Sequence, residues 1–302
     1  MLAPLETSEP SGSRAASRPA TVRGPRGTAA SITGGQDLTL DPADFTEIQA
    51  LARARAGLNL TAEKAGVVQF RVATRVRALG MSSFREYLER ARRDPDEVSS
   101  LVGALANNNT SFFRESEQHP LLRAAVAQGL RTCSDVRIWS AGCSTGEEPL
   151  TLAMLVRAWN PTAAGRVRIL ATDLSREAVA VARGGRYTDE QVGAIPAELR
   201  ARFASPAADH GWFDIAPEVR RSVRFARLNL MDPWPMRRRL HVIFCRNVMI
   251  YFDRATQRRL VGRFCNALEP GGYLFLGQAE ALPPATNGLA YLDQAVYRKV
   301  DE

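Results

Sequence analysis

Apolar residues recur at helical spacing in the first part of the chain. From Asp41 to about Asn107 the apolar positions lie three or four residues apart, which predicts a small all-helical domain. In the second predicted helix these positions are Val67, Val68, Val72, Val76 and Leu79. The same helix carries the basic residues Lys64, Arg71, Arg75 and Arg77. They indicate either a solvated face or a surface that docks an acidic helix.

Short apolar runs alternate with helical segments after about Asp135. The strand-like runs are VRIWSAG (136–142), VRILATD (167–173), VRFARLN (223–229), HVIFC (241–245), YLFLG (273–277) and AVYRKV (295–300). This alternation is typical of an α/β fold with a doubly wound, mostly parallel sheet. Residues 187–221 are too many for an ordinary connection in such a fold, so we expect an insertion there.

Length and composition suggest how the chain is divided. A chain of 302 residues can form two domains. Residues 1–38 are rich in Ser, Gly, Pro, Ala and Arg, and we expect a disordered tail there instead of a transit peptide. The predicted organisation is therefore a tail, a helical domain over 39–107 and an α/β domain over 108–302.

Residue counts limit the chemistry. The four cysteines form no C-x-x-C pair and the three histidines lack metal-ligand spacing, so neither a disulfide framework nor a metal site is indicated. No apolar stretch approaches the roughly 18 residues that a membrane span needs. We therefore expect a reduced, cytoplasmic protein. The formal net charge of +8 favours an acidic partner, which could be nucleic acid, a membrane surface or an acidic protein.

The stretch SAGCSTGEEP (140–149) lies where a predicted strand leads into a predicted helix. Its glycines, Gly142 and Gly146, fit neither the phosphate-binding loop nor the dinucleotide fingerprint. Glu147 and Glu148 would repel phosphates, but they suit a ligand with a positive end, such as S-adenosylmethionine. A helix start with acids in its first turn is the alternative explanation.

Asp173 ends the strand that follows the glycine-bearing loop. A carboxylate in this place can accept hydrogen bonds from ribose hydroxyls. The loop and the acid together favour a nucleoside-containing ligand more strongly than either does alone.

Five successive motifs resemble those of the CheR-type chemotaxis receptor methyltransferases, in the order of that family. They are NNNTSFFRE (107–115), IWSAGCSTGEEP (138–149), ILATDLS (169–175), FCRNVMIYFD (244–253) and LEPGGYLFLGQAE (268–280). The match runs from about Asp41 to the C-terminus. It implies an S-adenosylmethionine-dependent enzyme that esterifies glutamates on the cytoplasmic helical region of methyl-accepting chemoreceptors. We expect a monomer that binds no nucleic acid and does not insert into a membrane.

The resemblance also implies roles for single residues. The residues implied to bind the cofactor are Asn108, Thr110, Arg114, Gly142, Glu148, Asp173, Asn229, Leu230, Arg246 and Asn247. Arg114 and Tyr251 are expected to position the acceptor carboxylate, because a glutamate with a pKa of about 4.3 is already ionised at neutral pH. Arg71, Arg75 and Arg77 are expected to meet the acid-rich receptor helix. No metal is expected.

Two other functions stay open. A nucleic-acid methyltransferase would explain the basic charge, and DPWP (232–235) superficially resembles the D-P-P-Y motif of amino-group methylases, although it precedes the strand HVIFC. A non-catalytic module that binds S-adenosylmethionine or a receptor is the second alternative. The presence of Arg114, Asp173 and Tyr251 argues against it.

The insertion bears on how a receptor would be held. In the resembled family this region is a small antiparallel β subdomain, so we expect a small β insertion here. Some members of the family dock a receptor-tail pentapeptide on a strand edge there, next to a Gly-x-Gly loop. The corresponding stretch here, FASPAADHGWFDI (203–215), has Pro206 and a single glycine, Gly211. We therefore expect that this docking edge is lacking.

Overall fold

The computed structural model describes residues 38–105, 109–282 and 288–300, and the structural statements below concern these residues. Except for Leu38, the predicted disordered tail lies outside them. Asn108 and the predicted domain boundary at 107/108 also lie outside them.

Four helices form the first part of the described chain: α1 (Pro42–Ala56), α2 (Ala65–Ala78), α3 (Phe84–Arg93) and α4 (Pro95–Leu105). Local side chains set their ends. Asp41 Oδ1 accepts a hydrogen bond from Asp44 N at 2.7 Å, and Ser83 Oγ accepts one from Glu86 N at 3.1 Å. Gly57 ends α1 in the left-handed conformation, with φ +69°. The prediction of an all-helical first domain is confirmed.

Helix α2 has one buried face and one exposed face. Val68, Val72 and Val76 are buried. Val67, which the helical pattern grouped with them, is 51% exposed, and Phe70 is 75% exposed. The apolar pattern therefore predicts the helix correctly but does not separate its two faces.

The rest of the described chain alternates strands and helices. The strands are β1 (Val136–Ala141), β2 (Val167–Asp173), β3 (Arg186–Thr188), β4 (Ala204–Pro206), β5 (Trp212–Ile215), β6 (Val223–Arg227), β7 (Leu240–Cys245), β8 (Leu268–Leu276), β9 (Leu289–Asp293) and β10 (Val296–Lys299). The helices are α5 (His119–Thr132), α6 (Glu147–Trp159), α7 (Arg176–Gly184), α8 (Asp189–Gly193), α9 (Ala197–Phe203), α10 (Pro217–Arg220) and α11 (Arg254–Ala267).

Seven of these strands form one sheet in the order β6-β2-β1-β7-β8-β10-β9. The pairs from β6 to β8 are parallel, and β10 is antiparallel to both of its neighbours. The predicted mostly parallel sheet is confirmed. Strand β9 has no signal in the sequence, because only its first residue, Leu289, is buried and the strand lacks an apolar period.

A second, small sheet lies within the predicted insertion. It is antiparallel, with the order β3-β5-β4. Helices α8 and α9 lie between its strands β3 and β4, and α10 follows β5. The predicted small β insertion is therefore confirmed, and it also carries short helices.

The two faces of the large sheet lie in different apolar clusters, because alternate residues of a strand point to opposite faces. On β1, Trp139 belongs to a cluster that also holds Ile48 of α1 and Leu101 of α4. Ile138 belongs to the cluster on the other face, with side chains of α5 and α6. The four N-terminal helices thus share a core with one face of the sheet. No helix in the described ranges is both long and apolar enough to cross a bilayer.

Candidate active site

A cavity lies at the carboxyl ends of β1, β2, β6 and β7. Its empty volume is about 870 Å³, counting the space open to solvent. Strand order reverses between β1 and β7, since the chain goes from β1 outward to β2 and β6 and returns to β7. Ligands of open α/β sheets bind at such a switch point.

The loop after β1 brings its backbone close to neighbouring segments. Gly142 has φ +89°, and a Cβ added there would overlap Val248 Cγ2. Its amide and that of Cys143 both donate to the Thr172 carbonyl, at 2.8 and 2.9 Å. Gly146 has φ +100° and precedes α6. Gly142 lines the cavity, and a larger side chain would clash there. Contact of this loop with a cofactor stays a prediction.

Asp173 joins two loops of the cavity wall. Its Oδ2 accepts a hydrogen bond from Ser144 N at 2.8 Å, and its Oδ1 accepts one from Ser175 N at 2.9 Å. Burial raises the pKa of this carboxyl, although these backbone hydrogen bonds oppose the shift. Each carboxylate oxygen has a further lone pair that a ribose hydroxyl could use. The structure places Asp173 in the cavity wall, and contact with a ribose stays a prediction.

The two adjacent glutamates at the start of α6 have different surroundings. Glu148 lines the cavity, its Oε1 accepts a hydrogen bond from Ser140 Oγ at 2.7 Å, and its Oε2 lies 2.9 Å from Arg246 Nε. Glu147 instead accepts hydrogen bonds from Thr145 Oγ1 at 2.7 Å and Gln191 Nε2 at 3.0 Å. Glu147 therefore links the helix start to the β insertion, and only Glu148 faces the cavity.

Arg246 is almost fully buried and bonds to several groups of the cavity wall. Besides its ion pair with Glu148, it donates a hydrogen bond to the Arg114 carbonyl at 2.9 Å and one to Gln118 Oε1 at 3.2 Å. Its side chain is 6% exposed. A guanidinium with these partners fixes the position of Glu148 and of the backbone at Arg114.

Arg114 lies in a locally unusual backbone. Its neighbours Phe113 and Glu115 have φ values of 57° and 54°, in the left-handed region that residues other than glycine seldom adopt. The Arg114 guanidinium donates to the Asn109 carbonyl at 3.0 Å. Arg114 and Thr110 both line the cavity. Backbone conformations of this kind are often kept at functional sites.

Asn247 and Tyr251 belong to the segment after β7. Asn247 has φ 59°, and Tyr251 ends the 3-10 helix Met249–Tyr251. Both residues line the cavity. Lys64 Nζ lies 5.8 Å from the centre of the Tyr251 ring. The predicted positioning residue Tyr251 is therefore close to the residue that precedes α2.

Asn229 and Leu230 line the opposite part of the cavity, next to helix α1. Asn229 Nδ2 donates to the Arg55 carbonyl at 2.7 Å and to Asp232 Oδ1 at 3.3 Å, and Asn229 Oδ1 accepts from Met231 N at 3.0 Å. Asn229, which the resemblance implies to bind the cofactor, is thus tied to helix α1. Trp234 of the DPWP stretch packs against Arg263 and Trp139 and does not line this cavity.

Three residues that sequence reasoning did not single out support the site. Ala56 and Leu58, from the end of α1, form part of the cavity wall. Glu280, at the end of the last quoted motif, accepts a hydrogen bond from Asn247 N at 2.6 Å. The signal for Glu280 was present in that motif, but nothing in the sequence indicates which backbone groups it meets.

The three arginines of α2 do not line the cavity. Arg75 is paired with Glu97, with its Nη2 at 2.8 Å from Glu97 Oε2, and Arg71 Nη1 donates to the Leu105 carbonyl at 2.8 Å. Arg77 is exposed. The carboxylate of Glu97 is buried, so its pairing with Arg75 also joins α2 to α4. Contact with a partner stays a prediction for Arg71, Arg75 and Arg77.

Two family models match the chain. The model described as CheR methyltransferase, all-alpha domain, matches residues 43–106. The model described as CheR methyltransferase, SAM binding domain, matches residues 108–297. Together they cover the helical part and the sheet that carries the cavity.

Similar proteins are found among bacterial chemotaxis methyltransferases. Chemotaxis protein methyltransferase 2 of Pseudomonas aeruginosa is 36% identical over 280 residues, which is 90% of this chain and 99% of that protein. The chemotaxis protein methyltransferase of Escherichia coli is 35% identical over 86% of this chain and 92% of its own length. That of Borreliella burgdorferi is 33% identical over 80% and 89%.

Proposed function

This chain belongs to the CheR methyltransferase family, and from that premise we propose that it methylates glutamate side chains of chemoreceptors. The family assignment makes the chain an S-adenosylmethionine-dependent methyltransferase of chemotaxis. The proposed products are a glutamate methyl ester and S-adenosylhomocysteine. The proposed acceptors lie in the cytoplasmic helical region of the receptors, so the chain would act in the cytoplasm, as a monomer.

The cavity at the switch point supports this proposal, because its lining offers groups that suit each part of the cofactor. Glu148 offers a carboxylate for the ammonium, and Gly142 offers close backbone approach for the methionine portion. Asp173 offers acceptors for the ribose hydroxyls, and Asn229 and Leu230 offer a surface for the adenine. We propose the same binding role for Thr110, Arg246 and Asn247, which also line the cavity, and we retain it for Asn108.

The proposed chemistry needs orientation more than acid or base assistance. The bound cofactor supplies an electrophilic methyl group. A glutamate carboxylate is ionised at neutral pH and needs no base. We propose that Arg114 and Tyr251, which line the cavity, hold that carboxylate in line with the methyl carbon. Such positioning can lower a barrier by several kcal/mol, up to roughly 7 to 11 in the best cases. Arg114 also donates a hydrogen bond to a backbone carbonyl. Its positive charge is therefore shared between that carbonyl and the acceptor carboxylate, and it lowers the nucleophilicity of the carboxylate less.

We propose that the receptor helix lies along the exposed stripe of α2. The stripe consists of Val67, Phe70, Thr74 and Arg77, which are spaced three or four residues apart and are all exposed. It begins beside Lys64, and therefore beside Tyr251 at the cavity. An amphipathic helix could place an apolar residue on Phe70 and Val67 while one of its glutamates enters the cavity.

Transfer of a labelled methyl group from S-adenosylmethionine to purified receptor cytoplasmic fragments tests the proposal. We expect label on the fragment that alkali releases as methanol, because methyl esters are alkali-labile, and none on fragments whose acceptor glutamates are replaced by alanine. Arg114→Ala and Tyr251→Phe should lower turnover by about tenfold or more while changing cofactor affinity less. Arg123 is exposed on α5. Arg123→Ala serves as the matched control and should leave both turnover and cofactor affinity unchanged.

Alkali-stable label, or label on nucleic acid instead of the receptor, would contradict the proposal. Cofactor binding without transfer to any fragment would support the non-catalytic alternative.

A further inference from the structure

We propose that Glu280 is a positioning residue that holds the Asn247–Tyr251 segment in the shape needed for methyl transfer. The proposal rests on the proposed function, because the segment carries Tyr251. It assigns a task to a carboxylate that does not line the cavity and is not among the proposed cofactor-binding residues.

The carboxylate of Glu280 collects three backbone N–H groups. Its Oε2 accepts hydrogen bonds from Asn247 N at 2.6 Å and from Gly277 N at 2.9 Å, and its Oε1 accepts one from Ile250 N at 3.1 Å. Two of these donors lie in the segment after β7, and the third lies at the end of β8. A single side chain therefore joins the ends of two neighbouring strands.

The segment held by Glu280 has a conformation that needs support. Asn247 has φ 59°, and the 3-10 helix Met249–Tyr251 follows it directly. Such a backbone persists when the surroundings over-determine it. The other end of the segment is fixed separately, because the Tyr251 carbonyl accepts a hydrogen bond from Asn59 N at 2.8 Å and Phe252 bridges to Leu58.

Gly277 provides the space that lets the carboxylate reach the segment. A Cβ added to Gly277 would lie 2.7 Å from Asn247 Nδ2, 2.8 Å from Glu280 Oε2 and 3.0 Å from Asn247 N. Its φ of −68° is open to any residue, so the glycine is required for close approach and not for its backbone conformation. Gly277 and Glu280, which belong to the same motif, thus hold the segment together.

Backbone hydrogen bonds, and not an ion pair, hold the carboxylate of Glu280. Glu280 is 7% exposed, and within the described residues no lysine, arginine or histidine forms a salt bridge with it. Burial raises the pKa of Glu280, although the backbone hydrogen bonds oppose the shift. A buried charge without a cation is costly, so the hydrogen-bond geometry that it imposes on the segment is its benefit.

The test compares Glu280→Gln and Glu280→Ala with the wild-type full chain. The glutamine can still accept from Asn247 and Gly277 through one oxygen, but it turns an amide N–H₂ toward Ile250 N. Alanine loses all three acceptors. We expect turnover at saturating substrates to fall about tenfold or more in the glutamine variant and further in the alanine variant. The midpoint of thermal unfolding of the glutamine variant should change little.

The matched control is Asp135→Asn, which alters another mostly buried carboxylate, just before β1, that is bonded to Arg137 at 3.0 Å. It lies at the opposite end of that strand from the cavity. We expect it to lower stability and leave turnover unchanged. If the Glu280 variants lost stability as Asp135→Asn does but kept their turnover, the proposal would be overturned.

A double-mutant cycle shows whether Glu280 acts through Tyr251. If it does, Glu280→Gln should lower turnover less in a Tyr251→Phe background than in the wild type. If the effects of the two substitutions on turnover were fully additive, Glu280 would not act through Tyr251. Amide hydrogen exchange of residues 246–251 provides a readout that does not depend on activity, and exchange should be faster in both Glu280 variants. If exchange is faster in the Glu280 variants but the wild-type chain itself does not methylate receptors, only the proposed function is contradicted. Unchanged exchange in the variants would contradict the role of Glu280.

Discussion

At the scale of single residues, the candidate active site depends on buried carboxylates that are held by hydrogen bonds. Burial raises the pKa values of Glu147, Asp173 and Glu280, and backbone or side-chain donors oppose the shift in each case. Each of the three joins two separate segments of chain. Their loss should therefore change the shape of the cavity as well as its charge.

The first prediction concerns Asp173. Asp173→Ala should weaken S-adenosylmethionine binding by about 1 to 3 kcal/mol, because it removes an acceptor in the cavity and strands the amides of Ser144 and Ser175. Calorimetric titration measures the effect. Glu177→Ala is the matched control, since this exposed acid lies two residues into α7 and does not line the cavity. An unchanged affinity in Asp173→Ala would remove this residue from the binding site.

The second prediction concerns His119, whose ring lies near the buried guanidinium of Arg246. Burial, and secondarily the charge of Arg246, lowers the pKa of His119 to about 4. The unfolded chain, with a histidine pKa of about 6.5, binds more protons than the folded chain between these values. Stability should therefore fall as the pH falls from about 6.5 to about 4.

Denaturant unfolding at pH 7 and pH 5 measures this dependence. Because His119 is partly exposed, we expect its share of the loss to be about 1 kcal/mol. His119→Gln should reduce the loss by that amount, and the exposed His210→Gln should not. Equal losses in wild type and His119→Gln would show that the histidine is not the cause.

At the scale of elements, α2 combines a buried face with an exposed face, along which we propose that the receptor docks. Glu97 of α4 holds Arg75, whereas Phe70 and Arg77 point away from the core. A charge count along the helix cannot separate these roles, because both faces carry arginine.

The third prediction tests the proposed docking along α2. Arg77→Glu should raise the KM for the receptor strongly at low salt and less at high salt, because exposed charges are screened. Phe70→Ala should raise it several-fold at both salt concentrations, since an apolar contact is not screened. Arg93→Glu, an exposed reversal on α3, is the matched control. A salt-independent effect of Arg77→Glu would point to a folding defect instead of docking.

The fourth prediction concerns the edge strand β4 of the small sheet. The Phe203 carbonyl and the Ala207 N–H, at the two ends of β4, form backbone hydrogen bonds with the chain at β5. Because successive residues of a strand point their backbone N–H and C=O groups to opposite sides, the backbone of Pro206 faces the free edge of the sheet. Proline has no N–H to offer an added strand there. Titration with a receptor-tail pentapeptide should therefore show no micromolar binding. Binding, with methylation lost when the receptor tail is truncated, would show that the insertion still tethers receptors.

At the scale of the whole molecule, the described residues from Leu38 onward form one compact unit. The helical part contributes Ala56 and Leu58 to the cavity wall, and its side chains share an apolar cluster with one face of the sheet. The cofactor site is therefore expected to depend on both parts of the chain.

The fifth prediction follows from this shared core. The helical part and the sheet should unfold in one cooperative transition, with equal calorimetric and van't Hoff enthalpies. S-adenosylmethionine at 100 times its Kd should stabilise the whole unit by about 2.7 kcal/mol. Two transitions, of which the cofactor shifts only one, would show that the helices unfold independently.

The sequence by itself determined the features whose signals are contiguous. The alternation of apolar runs predicted the mostly parallel sheet, and the helical period predicted the all-helical N-terminal domain. The motifs around Gly142, Asp173 and Tyr251 indicated the family and the cofactor, because each motif places its residues on one short loop. Local backbone chemistry is sufficient for such loops.

Only the tertiary structure decided the contacts between distant segments. It joined Glu280 to Asn247, Arg75 to Glu97 and Asn229 to the Arg55 carbonyl, and it brought Leu58 to the cavity. These contacts depend on how helices and strands pack, and one sequence carries no local signal for which partner a buried carboxylate or amide will find. The sequence therefore indicates the chemistry of the site, and the packing decides which residues hold it in place.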